Sequence, residues 1–136
     1  MNYRRVILGG LLAGVFINAS EFVLNGMVLA EQMEADMQSA GLAFASWAMP
    51  AFVVMGFVWG LFLAWCYAAI RPRYGKGGRT ALIAAAALWV VGYLMPSVSF
   101  LAMGVGSTSN YALSLVWGAA EVVIAAVLAG YFYQEA

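Results

Sequence analysis

Three polar residues able to bind a proton or a cation stand inside a hydrophobic run from Val6 to Leu29: Asn18, Glu21 and Asn25. They are three and four residues apart, so a helix carries them on one face. A carboxylate between two carboxamides can take up a proton, accept hydrogen bonds or help to coordinate a cation. A second acid, Glu121, lies inside a similar run from Tyr111 to Tyr133. Placing a charged side chain at the centre of a bilayer costs about 2.5–3.5 kcal/mol on insertion scales. The basic residues are Arg4, Arg5, Arg71, Arg73, Lys76 and Arg79, all outside the apolar runs, so none neutralises either glutamate. At least one of the two acids is therefore expected to hold its proton at neutral pH. Such a group serves either as interhelical glue, at about 0.6–2 kcal/mol per bond, or as a proton-exchanging or cation-binding site.

The elements that position these residues follow from composition. The 136-residue chain is 65% hydrophobic and 9% charged, with a mean hydropathy of +0.91. Soluble domains carry about a quarter charged residues. The chain is therefore read as an integral membrane protein. Four runs, roughly 6–29, 50–70, 80–103 and 111–133, approach the ~20 residues needed to cross a hydrocarbon core of ~30 Å. The expected fold is all-α: a single transmembrane four-helix bundle occupying residues 1–136. The basic residues fall in the N-terminal tail and in loop 71–79, while Glu31, Glu34 and Asp36 fall in loop 30–49. By the positive-inside rule both termini and loop 71–79 are expected in the cytoplasm, and the acidic loop outside.

Depth along the spans brings the polar groups together. At a rise of ~1.5 Å per residue, Glu21 lies ~22 Å and Glu121 ~18 Å from the cytoplasmic edge. Span three contains Pro96, which cannot donate to the Gly92 carbonyl and is expected to kink the helix there. Gly92 and Pro96 lie at ~18 and ~24 Å on the same count. The expectation is one polar layer of Glu21, Asn18, Asn25 and Glu121 against a kinked span three. Span two carries Gly56, Gly60 and Ala64 at four-residue spacing, a small-residue ridge suited to close helix contact, within the chain or against a second copy. Pro72 is expected to end that span. Leu29, Met33 and Met37 recur every four residues among charges, which predicts a helical extension or a short surface helix.

The chemistry is further narrowed by what is missing. The chain has no histidine, and its one cysteine, Cys66, has no partner in sequence. Haem, zinc and disulfide chemistry therefore lack their usual residues. No nucleophile elbow, phosphate loop or metal-ligand cluster is present, so neither an enzyme nor a metal site is expected. No cofactor is expected either, although a lipid or a pigment could lie beside Trp59, Trp65, Trp89, Tyr93 and Trp117. The partners expected are the lipid bilayer and either a second copy or a larger membrane complex, not nucleic acid.

Several segments carry a resemblance: Gly9-Gly10-Leu11-Leu12-Ala13-Gly14, Asn18, Glu21 to Gly26, Tyr67 to Gly75, Gly92-Tyr93-Leu94-Met95-Pro96 and Glu121. Together they resemble an uncharacterised family of small four-helix bacterial integral membrane proteins. The resemblance implies a multi-pass protein of the bacterial inner membrane and supplies no catalytic roles. Two functions follow as expectations. One is a non-catalytic structural, accessory or partner-binding module with a buried Glu/Asn layer. The other is a proton- or cation-coupled transporter or channel for a small solute, acting as an oligomer.

Overall fold

The computed structural model describes residues 1–133; the last three residues of the expected 1–136 domain lie outside it. Among the described residues the chain is helical, without strands. Helix α1 (Tyr3–Val23) runs into a π-helical turn, Leu24–Val28, before α2 (Ala30–Ser39). Helix α3 (Ala48–Tyr74) follows, then α4 (Gly78–Trp89), a second π-helical turn (Val90–Leu94), α5 (Met95–Ala102) and α6 (Thr108–Phe132). Four continuous helical stretches, Tyr3–Val28, Ala48–Tyr74, Gly78–Ala102 and Thr108–Phe132, are long and apolar enough to cross a membrane. The chain is a multi-pass, all-α membrane protein.

Local chemistry sets the helix ends. The side chain of Asn2 accepts from the Arg5 amide and caps α1, and that of Ser107 accepts from the Asn110 amide and caps α6. Both residue types satisfy otherwise orphaned N–H groups at helix starts. Pro50 stands in the first turn of α3, where no donor is needed. At the other end of α3, Pro72 does not stop the helix as expected, but lies inside its last turn. The helix ends two residues further on, where Gly75 takes a φ of +83° and its amide closes on the Arg71 carbonyl at 2.8 Å. Glycine adopts that conformation without strain, whereas the residue before proline is only biased against the helix. The stretch after span one forms a separate short helix, α2, set off from the π turn by a bend at Leu29.

The bundle is built inside out relative to a soluble protein. Its centre is filled by small side chains, among them Ala13, Ala64, Ala84, Ala85, Ala125 and Ala126. Large apolar side chains such as Ile7, Val15, Val58, Val98 and Val127 point outward. Lipid tails solvate leucine and valine as well as a protein interior does, so close backbone approach rather than apolar burial holds such helices together. The ridge Gly56, Gly60, Ala64 provides that approach within the chain. A Cβ at Gly60 would sit 2.7 Å from the Gly14 Cα and also against the Gly10 carbonyl. Helix α1 therefore lies backbone to backbone on α3. Around the bundle, α1 neighbours α3 and α6, while α4 neighbours the same two helices from the opposite corner.

The end of the bundle that holds Asn2 and Tyr133 is tied by polar contacts. The Asn2 amide donates to the Tyr133 hydroxyl at 3.2 Å, and the Gly77 amide donates to the Tyr67 hydroxyl at 3.1 Å. The Arg71 guanidinium lies 5.2 Å from the centroid of the Tyr133 ring, within cation–π range.

Candidate functional site: two carboxyls bridged by Tyr93

Glu21 from α1 and Glu121 from α6 meet across a third element. The Tyr93 hydroxyl lies 2.9 Å from Oε1 of Glu21 and forms a short contact with Oε1 of Glu121. On the far side of Glu21, the Asn25 amide donates to Oε2. The polar chain thus reads Asn25, Glu21, Tyr93, Glu121. Glu121 is 2% exposed, and no hydrogen bond of normal geometry reaches its Oε2.

Both helical irregularities of the bundle fall beside this chain. The first π turn begins three residues after Glu21 and contains Asn25, and the Leu29 amide reaches back five residues to the Leu24 carbonyl at 2.7 Å. The second contains Tyr93, with the Met95 amide bonded to the Val90 carbonyl. A π turn inserts one residue into the helical wheel and redirects the side chains around it, a distortion common at functional sites. The irregularity expected near Gly92 and Pro96 takes the form of this π turn. Pro96 stands at the start of α5, directly after the π turn, and the helical path continues through it. Gly92 gives room for the Trp59 ring, which a Cβ there would approach to 3.2 Å.

The wall around the site is made of two further side-chain bonds. The Trp117 indole N–H of α6 donates to the Ser20 hydroxyl of α1 at 2.9 Å, and the Trp89 indole N–H of α4 donates to the Leu115 carbonyl of α6 at 2.8 Å. Gly118 packs under Tyr93: a Cβ there would fall 2.9 Å from the ring Cγ and closer still to the ring edge. The absence of a side chain at 118 is what lets the phenol reach Glu121.

The structure brings Glu21, Asn25 and Glu121 together, but not Asn18. The Asn18 amide donates to the Gly14 carbonyl of its own helix at 2.9 Å and to the Val53 carbonyl of α3 at 3.1 Å. Its side chain lies over Gly56. The physical reason is angular. Residues three apart differ by about 60° on a helical wheel, enough for Asn18 to face α3 while Glu21 faces α4 and α6. Tyr93, in turn, was not among the residues expected in the polar layer. The usable signal was its hydroxyl at mid-span, three residues before Pro96 and at the depth of both acids.

Counting hydrogens defines what this arrangement can do. A phenol has one hydrogen, yet Tyr93 touches a carboxyl oxygen on each side. One of the two contacts must use a hydrogen held by a carboxyl group. With both acids ionised, one oxygen–oxygen contact would lack a hydrogen, and two like charges would face each other while the basic residues lie at helix ends or in the linker between α3 and α4. One proton beyond that of the phenol would satisfy both contacts of the Glu–Tyr–Glu unit. Shifting both hydrogens along the chain moves the negative charge from one glutamate to the other without moving a heavy atom.

Comparisons with known protein families, with curated proteins and with solved structures yield no match.

Proposed function

We propose that this chain is a proton-exchanging membrane protein, a small proton-coupled transporter of the bacterial inner membrane with both termini in the cytoplasm. The observation that carries it is the phenol-bridged pair of carboxyls in a bundle whose basic residues all lie at helix ends or in the linker between α3 and α4. A pair that holds one labile proton can release it when a solute or a change of conformation alters its surroundings, which is the elementary step of coupling. Arg4 and Arg5 at the start of α1 and Arg71, Arg73, Lys76 and Arg79 around the turn from α3 to α4 support the orientation. Catalysis is not assigned to the chain. A second reading, a non-catalytic accessory or partner-binding module, draws on the same bonds acting as glue between α1, α4 and α6. Four short helices enclose little space, which favours an oligomer for the transporter and a partner complex for the module.

Proton flux separates the two. Purified protein is reconstituted into vesicles containing a pH-sensitive dye, and a pH gradient is imposed with the membrane potential clamped. The transporter reading predicts protein-dependent proton movement that is lost in both Glu21→Gln and Glu121→Gln. Folded wild-type protein that moves no protons would leave the accessory module as the function.

A further inference from the structure

A groove of about 550 Å³ runs between α1 and α6 on the outside of the bundle, within the usual size range of ligand sites. Its walls are apolar, with Phe16 and Val23 from α1 and Val116 and Ile124 from α6. Val116 is 72% exposed and Ile124 46% exposed, so the groove opens sideways, toward the space that lipid tails occupy. Its lining also includes Ser20, Trp117 and Glu121. Glu121 is the polar side chain that stands out: it is almost fully buried, and its Oε2 lacks a hydrogen bond of normal geometry. The Ser20 hydroxyl stands beside it with its oxygen already accepting from Trp117.

We propose that this groove binds a lipophilic organic ammonium, with its apolar tail between α1 and α6 and its charged head on Glu121. This rests on the proton-exchange reading and names the solute class. The chemistry is specific. An ammonium brings an N–H⁺ donor to the Glu121 carboxylate in addition to the neighbouring Ser20 hydroxyl, and charge-assisted bonds of this kind are the strong ones. The Trp117 indole lines the same groove and holds the Ser20 oxygen through its N–H. A plain lipid tail would fill the apolar walls but leave Oε2 as it is. The exchange balances: the ammonium enters carrying one positive charge, one proton leaves the Glu21–Tyr93–Glu121 unit for water, and the net charge of the site is unchanged. The titratable groups facing Glu121 are Glu21 from α1 and Tyr93 from the second π turn.

The test uses the full chain in nanodiscs of phosphatidylcholine with radiolabelled decylammonium as the probe, and decanol as its uncharged counterpart. Wild type is expected to bind decylammonium saturably above empty discs and to release about one proton per molecule bound, whereas decanol does not compete. Glu121→Gln is expected to weaken binding roughly tenfold or more, the loss of one charge-assisted bond. Val116→Trp fills the groove without touching the carboxyls, so it is expected to weaken binding while leaving their shared proton in place. Equal binding to wild type and both variants, equal competition by decanol, or binding without proton release would each overturn the assignment. If wild type holds a protonated carboxyl but takes up no decylammonium, this inference fails and the proton site stands. If no protonated carboxyl is found, the proton-exchange reading itself fails.

Discussion

Replacing Tyr93 by phenylalanine removes one oxygen and leaves the ring on Gly118. The loss is nevertheless concentrated. Both Oε1 atoms, of Glu21 and of Glu121, lose the partner that ties α1 and α6 to the span between them. Interhelical bonds in a bilayer contribute about 0.6–1.7 kcal/mol each. Glu121 also keeps a buried carboxyl whose other oxygen already lacks a bond, and an orphaned buried acceptor costs about 1–3 kcal/mol. A destabilisation of about 2–3 kcal/mol follows, equivalent to a fall in Tm of roughly 5–10 °C for a chain of this size. The assay is thermal unfolding in mild detergent followed by circular dichroism. Tyr131→Phe is the control, because Tyr131 is 77% exposed and should leave Tm where it is. A Tyr93→Phe protein as stable as wild type would refute the bridge and, with it, the count of hydrogens that assigns a shared proton.

Two further substitutions probe how the site is held. Gly60→Leu drives a side chain into the backbone of Gly10 and Gly14, so overpacking of about 3 kcal/mol or more is expected, read as loss of folded protein in size-exclusion chromatography. A folded Gly60→Leu protein with an altered oligomeric state would instead place the ridge at a contact between copies. Gly118→Ala pushes a methyl group into the Tyr93 ring, so it should reproduce the Tyr93→Phe defect at about 1–3 kcal/mol. A Gly118→Ala protein with wild-type Tm would mean that the ring can move without losing Glu121.

Much of this fold was legible because the bilayer restricts the choices. A chain this apolar must satisfy its backbone in helices, and run lengths place four of them. Element ends were less legible: Pro72 marks the edge of α3 in sequence, but the glycine at 75 sets it. Within the site, the two glutamates could be paired from depth, because rise per residue is a local constant, and Asn25 joins them by standing four residues from Glu21 on the same helix face. Asn18 could not be placed that way, because its direction depends on which helix lies beside α1, and Gly56 opens that space on α3. Tyr93 stays among the lining aromatics in sequence, outside the polar layer, for a related reason. Midspan tyrosines usually serve packing, and its role emerges only when Gly118 on another helix makes room. The π turns left no simple trace, since an inserted residue changes the wheel without changing composition.

The central claim is one labile proton held between Glu21, Tyr93 and Glu121, and infrared spectroscopy reads it directly through the carbonyl stretch of a protonated carboxyl. In reconstituted wild-type protein at neutral pH that band is predicted to be present and to shift in heavy water, and it is predicted to vanish in the Glu21→Gln/Glu121→Gln double variant. Its absence from wild type, or its survival in the double variant, would contradict the account.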